Sequence, residues 1–435
     1  MHIYEYTRLA IGSEGGSQTL SEEQVTILKK LNGELKRRKI IAKNLYQWVD
    51  RDHIKFLNYA GVITICSEQI EIFPKIFAEK DGNTTGYEES FTAFARMVSY
   101  IFRSTIFDKD LINMRESEKI GVLDMVIFFY MSNLKAALNN GIYSQYEQEI
   151  FDSRYIRGKI CFNQQLNRMP GSAYIQESHL FTCNNELMKY LKACTLYFAN
   201  LSKSNWLRIQ MHRLSSLFGD VDTIDINKMK NKNIKFNRLN EPYQDAYNLS
   251  RLILSGLLIK PNSSESVSGV VFLLDMNKLF EDFFAAFIEN NWKKLSRKHS
   301  SAKIIKQKSS KYLFIDRKAR PLIPDVRVLN PSDETEIVFD TKYKSEPEPI
   351  ILGAALSRVS KADLYQMYAY STKYNAKETI LVYPSLHVTS ELDSLSFEKA
   401  QRLRIWEINI NLFDEKWEGK MIRELAELIQ SVNDS

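Results

Sequence analysis

The sequence predicts a multidomain α+β protein with a small β-rich N-terminal region, a mainly helical middle and a C-terminal α/β domain. Three observations carry this. The chain has 435 residues, more than one ordinary core holds. The apolar period changes along it, from about two near residues 61–73 to helical spacing across 122–258, then to a mixture beyond 266. A polar stretch, Lys260-Pro-Asn-Ser-Ser-Glu-Ser266, reads as a linker before that last change. The expected domains are therefore 1–80, 81–262 and 263–435.

In the first region, Glu22 to Lys30 and Lys43 to Tyr59 read as helix. Gly61–Ile65 and Gln69–Phe73 alternate as strands around a turn at Ser67–Glu68, and Pro74 closes the second. In the middle region, Val122–Leu138 is an apolar helix ended by Asn139-Asn140-Gly141. Leu187–Leu201 and Tyr243–Leu258, the latter after Pro242, are further helices. The third region opens on an amphipathic helix whose stripe includes Met276, Leu279, Phe280, Phe283, Phe284 and Phe287. Strands follow at Lys311–Ile315, Ile323–Leu329 and Glu336–Tyr343, and then a helix at Lys361–Tyr374. Strands at Thr379–Tyr383 and Leu403–Asn411 and a helix near Met421–Ser431 complete it. No internal repeat occurs.

Composition narrows the function. The chain is 44% hydrophobic and 26% charged, as in soluble globular proteins. No apolar run approaches the roughly 20 residues that span a bilayer. The first residues lack the layout of a secretory signal, so the expected compartment is the cytoplasm, without a membrane partner. The four cysteines form no CxxC pair and the six histidines are scattered, which speaks against a zinc site or a Ser-His-Asp triad. No phosphate-cradling G-x-x-x-x-G-K-[ST] loop occurs, because Gly12-Ser-Glu-Gly-Gly-Ser lacks the lysine. No nucleotide is therefore expected on this chain. The net charge of +6 is concentrated in three clusters: Lys36–Lys39, Lys228 to Arg238, and Lys293 to Lys311. Such clusters suit a polyanion, or are solvated faces.

The chemistry-bearing segment is Pro324-Asp325, followed fifteen residues later by Ile337-Val-Phe-Asp340-Thr-Lys342. Alternate side chains of a strand share a face, so Asp340 and Lys342 are expected together and Phe339 and Thr341 opposite. Asp325 opens the neighbouring strand. Two carboxylates are hard ligands for Mg²⁺, and a lysine beside them can stabilise charge developing on a phosphate. Taken alone, an Asp-x-Lys pair also fits a surface ion pair on an edge strand. Glu281 borders the apolar stripe of the upstream helix, and Gln366 and Tyr370 lie four apart on the downstream one.

The order Glu281, Pro324-Asp325, Asp340-Thr-Lys342, Gln366-x-x-x-Tyr370 resembles the PD-(D/E)xK nucleases, in particular their RecB-like branch. More narrowly, the chain resembles the McrC family, the nuclease subunits of McrBC-type modification-dependent restriction systems. Tyr59-Ala-Gly-Val-Ile63, Ile70-Glu-Ile-Phe-Pro-Lys-Ile76, Gly141-Ile-Tyr143, Tyr155-Ile-Arg-Gly-Lys-Ile160 and Leu274-Asp-Met-Asn-Lys-Leu-Phe-Glu281 carry that likeness. It implies a restriction-endonuclease-like C-terminal domain and a Mg²⁺-dependent endodeoxyribonuclease acting on double-stranded DNA carrying a modification such as 5-methylcytosine. Asp325, Asp340 and Lys342 are its implied catalytic set, with Glu281 as accessory acid. Asp325, Asp340 and Glu281 are the metal ligands, and Gln366 and Tyr370 the support. It also implies a separate McrB-like AAA+ GTPase ring that binds the GTP, contacts the N-terminal and middle regions, and is stimulated by them. Self-association would run through the nuclease domain. Thr341 stands where the family often has alanine, and the Ser345–Lys361 connection is long. Two other readings are an autonomous nuclease of the same type and a non-catalytic activator or assembly factor of an AAA+ ring.

Overall fold

Ser21 starts the first helix, α1 (Glu22–Arg37): its hydroxyl accepts from the Gln24 amide while the Gln24 side chain accepts from the Ser21 amide. The computed structural model describes all residues except 13–18, 67, 81–82, 103–119, 167, 170–172, 227–233, 258–270, 297–300, 315–316, 318, 345–358, 388, 398–400 and 434–435. Around α1 lie β1 (His2–Tyr4), β2 (Arg8–Ile11), β3 (Thr19–Leu20), β4 (Tyr46–Trp48), β5 (His53–Phe56), β6 (Tyr59–Ile65) and β7 (Glu68–Phe73). The ribbon β8 (Glu79–Lys80) and β9 (Asn83–Thr84) leads to α2 (Tyr87–Ile101). The predicted strands at 61–73 are present as β6 and β7. The helix expected over Lys43–Tyr59 is instead the antiparallel pair β4 and β5. Its signal was ambiguous: Ile54 and Phe56 are buried at period two, but neighbouring apolar residues also fit a helical stripe.

The middle segment contains α3 (Val122–Asn139), β10 (Gln145–Ser153), β11 (Lys159–Ile160), α4 (Phe162–Gln165), β12 (Tyr174–Thr182), α5 (Glu186–Leu201), α6 (Asn205–Ser216) and α7 (Gln244–Leu257). The three predicted helices are there. The nine-residue antiparallel pairing of β10 with β12 was not anticipated. Much of this ribbon is exposed, so it carries no core-facing alternation to read.

The last segment runs β13 (Val271–Asp275), α8 (Met276–Leu295), β14 (Lys303–Lys306), β15 (Lys311–Phe314), β16 (Ala319–Leu322), β17 (Val326–Leu329) and β18 (Thr335–Thr341). After it come α9 (Lys361–Tyr374), β19 (Glu378–Ser385), β20 (Ser390–Ser396), β21 (Arg402–Asn409) and α10 (Trp417–Asn433). Mixed helix and strand in several sheets make the protein α+β. Chain contacts group residues 1–103 with 256–435 as one unit and 104–255 as another. The breaks expected near 80 and 262 run differently, because β13 adds to the N-terminal sheet in the order β1-β7-β6-β13. The linker at 260–266 lies outside the described residues, as do the turn residue Ser67 and most of the Ser345–Lys361 connection.

The six-stranded sheet β14-β17-β18-β19-β21-β20 positions the candidate site. Its central neighbours β18, β19 and β21 are parallel, and β17 and β14 are antiparallel additions. Phe339 packs on Phe284 of α8, with ring centroids 5.6 Å apart. Val338, one residue earlier, packs in the cluster with Met367, Tyr370 and Tyr374 of α9. The two helices therefore cover opposite faces, and Asp340 shares the α9 face with Val338.

Candidate functional site

β17 and β18 pair so that Val326 faces Phe339, which sets Asp325 and Asp340 beside each other at the strand ends. Both are buried, at 7% and 2% exposure. Asp325 Oδ2 accepts from the Thr341 amide at 2.6 Å and from the Thr341 hydroxyl at 2.7 Å. Thr341 was expected to point away. It is the last residue of β18, and its amide and hydroxyl hold the carboxylate. Lys342 lies just past the strand and extends the ladder through its amide to the Val382 carbonyl at 2.8 Å.

The Lys342 ammonium is ion-paired with Asp340 Oδ2 and donates to Gln366 Oε1 at 3.3 Å. Gln366 Nε2 donates to the Tyr370 hydroxyl at 2.8 Å, and that hydroxyl donates to the Ile323 carbonyl at 3.0 Å. Gln366 also approaches Asp340 Oδ1 at 3.5 Å. Ser360 caps α9 by accepting from the Asp363 amide, which starts the helix that carries this pair. A second lysine, Lys344, is ion-paired with Asp363 of α9.

The site is crowded with negative charge. Burial, then the neighbouring Asp325, pushes the Asp340 carboxyl up to about 7. Burial, then Asp325, likewise takes Glu281 to about 7. Asp325 is raised by burial against the two Thr341 bonds. Burial opposes the charge on Lys342, but the adjoining Asp340 carboxylate raises its pKa overall. The charges of both aspartates act on Glu281. Among the described residues, however, no three of the His, Cys, Asp and Glu side chains are gathered closely enough to hold a metal ion together. The donor set that fits a hard divalent cation is the aspartate pair, whose mutual repulsion such an ion relieves.

The other candidates fare differently. Arg37 and Arg38 of the first basic cluster are held by Glu34 at 2.8 and 2.5 Å. In the third, Lys306 pairs with Glu289 at 2.6 Å and Lys303 with Asp333 at 3.6 Å, while Arg297 and Lys298 lie outside the described residues. Lys228, Lys230 and Lys232 of the second also lie outside them. All four cysteines are free. Among the described residues, no helix is long and apolar enough to cross a membrane.

Comparison with known proteins gives the family. A chain in a refined half-complex from a tetradecameric assembly of Thermococcus gammatolerans McrB AAA+ hexamers with bound McrC superposes with a TM-score of 0.64 at 19% identity. The match covers 98% of this chain and 99% of that one. A chain of the Thermococcus gammatolerans McrBC complex, seen by cryo-EM, matches with a TM-score of 0.48 and 20% identity over 67% of this chain and 88% of that one. No curated protein matches. The model of the McrBC 5-methylcytosine restriction system component family matches residues 54–384, which include Glu281, Asp325, Asp340, Lys342, Gln366 and Tyr370. With most of its length matched, the chain belongs to the McrBC 5-methylcytosine restriction system component family.

Proposed function

We propose that this chain is the nuclease subunit of an McrBC-type restriction system and hydrolyses phosphodiester bonds of modified double-stranded DNA with a PD-(D/E)xK site. The observation that carries the reading is the convergence of Asp325, Asp340, Lys342 and Gln366 at one end of β17, β18 and α9. Asp325 and Asp340 are the residues that would hold Mg²⁺, with Glu281 as accessory acid. When bound, the ion supplies Lewis acidity toward the phosphate and lowers the pKa of water. Thr341 fixes the orientation of Asp325. Gln366 and Tyr370 hold Lys342 and Asp340 in register, so that the ammonium lies where negative charge builds on the phosphate. In the reaction a water oxygen bonds to phosphorus and the bond from phosphorus to the leaving nucleotide oxygen breaks. The products are a phosphate monoester and a hydroxyl: of the water's two protons, one is taken up by the leaving oxygen by way of solvent and the other stays on the monoester or passes to solvent.

The chain carries no P-loop, so GTP hydrolysis falls to a McrB-like AAA+ ring as partner. The exposed apolar residues of the β10–β12 region suit that contact: Tyr146, Ile150, Leu180 and Phe181 are 71%, 54%, 52% and 61% exposed. The test is cleavage of methylated and unmethylated plasmid with Mg²⁺, with and without the ring and GTP, by wild-type and Asp340→Asn protein. Cutting of methylated plasmid by the wild type with ring and GTP, lost in Asp340→Asn, is expected. Undiminished cutting by Asp340→Asn overturns the site assignment, and robust cutting without ring or GTP overturns the dependence on a partner.

A further inference from the structure

Arg327 is a buried cation with little to hold it. It lies on β17 two residues after Asp325, is 5% exposed, and pairs across the ladders with Ile305 and Val338. Its guanidinium stacks on the Tyr374 ring at 4.5 Å. One Nη donates to the Lys308 carbonyl at a long 3.4 Å, and the buried Nε has no hydrogen-bond partner. Among the described residues no carboxylate is ion-paired with it. Burial accordingly works against its charge. A guanidinium kept in such a place without a counterion is costly unless an anion joins it.

The surroundings provide room for one. Arg327 lines a cavity of about 1100 Å³ bounded by β14, β17, β18 and the end of α9. Ser310 and Lys311, at the start of β15, line the Tyr374 side, where the Ser310 amide donates to the Tyr374 hydroxyl at 3.4 Å. Lys311, Lys377 and Arg402 add positive charge to the wall. The acids in the same wall are largely engaged. Asp333 faces Lys303 at 3.6 Å, Glu378 accepts from Arg404 at 2.9 Å, and Glu334 accepts from Asn330 at 3.0 Å, while Glu336 completes that side.

We propose that this cavity is a phosphate-binding site, distinct from the aspartate pair, in which Arg327 makes the central contact and Lys311 assists. The planar fork of a guanidinium matches two phosphate oxygens. The phosphate belongs either to the backbone of a nucleic acid strand or to a free phosphate-bearing small molecule. The first source rests on the nuclease reading, whereas the site itself does not.

The experiment measures inorganic phosphate binding to the full chain by calorimetry at constant ionic strength, for wild type, Arg327→Met and Lys311→Gln. Duplex DNA affinity is measured in parallel, with and without Arg327→Met, in an Asp340→Asn background that leaves the DNA uncut. Saturable phosphate binding is expected, weakened about tenfold or more by Arg327→Met and several-fold by the exposed Lys311→Gln. A matching loss of DNA affinity identifies the backbone as the source, and unchanged DNA affinity identifies a free phosphate compound. No saturable binding by wild type, or binding by both variants equal to wild type, overturns the site. Should Arg327→Met fail to fold, unchanged binding by Lys311→Gln overturns it. Failure of the nuclease reading shows separately, as cleavage that survives Asp340→Asn.

Discussion

Two residues other than the aspartate and lysine of the Asp-x-Lys motif have consequences the motif does not announce. Thr341 gives Asp325 both its amide and its hydroxyl. Thr341→Val keeps the amide bond and the shape and loses the hydroxyl, so unfolding in urea is expected to show a loss of about 1 kcal/mol. Glu5, near the other end of the chain, accepts from the Tyr343 hydroxyl at 2.7 Å and from the Lys75 amide at 3.1 Å. The Lys75 ammonium lies over the Tyr343 ring at 4.9 Å. Burial, opposed by the Tyr343 bond, lifts the Glu5 carboxyl from an ordinary 4.5 to about 7. The native state therefore keeps the proton that the unfolded state gives up. The associated stability is fully present below pH 4.5 and is lost as pH rises through 7, by on the order of 3 kcal/mol. Glu5→Gln removes this slope, which urea midpoints measured from pH 4 to 8 against wild type will show. A slope unchanged in the variant refutes it.

At the scale of elements, the pairing of β6 with β13 ties the start of the chain to the start of α8. Gly61 sits at φ +142° opposite Leu273, and a Cβ there would lie 2.0 Å from the Phe272 carbonyl oxygen. Gly61→Ala is expected to cost more than about 2 kcal/mol and to lower the thermal midpoint accordingly. An alanine variant as stable as wild type would show that β13 yields easily. Element identity was legible where one period dominated. α8 and α9 were expected close to where they lie, α8 because its apolar residues recur at helical spacing. The 43–59 segment was misread because hairpin and helix place its few apolar residues equally well. The β10–β12 ribbon was missed because much of it faces solvent.

At the scale of the whole molecule, the exposed apolar ribbon and the candidate site lie in different units of the chain. Substitutions in one are expected to leave the folding of the other intact. Tyr146 and Phe181 pack together at 5.2 Å on the ribbon surface. Tyr146→Ser with Phe181→Ser is expected to weaken co-elution with the AAA+ ring at least tenfold while the circular dichroism spectrum is retained. Conversely, Asp340→Asn is expected to abolish cutting and leave stimulation of the ring's GTPase unchanged. Loss of that stimulation in Asp340→Asn would contradict the separation.

The sequence by itself determined the order of the site residues: a proline-led aspartate, an Asp-x-Lys at a strand end, and a Gln and Tyr one helical turn apart. Strand and helix periods are local, so spacing alone places these groups on common faces. Tertiary structure decided what those faces meet. That Thr341 holds Asp325, that Tyr343 reaches back to Glu5, and that Arg327 is buried with no carboxylate ion-paired to it among the described residues are products of long-range pairing and burial. Neither a residue's charge nor its period encodes which distant group, or which absence of one, it will find there.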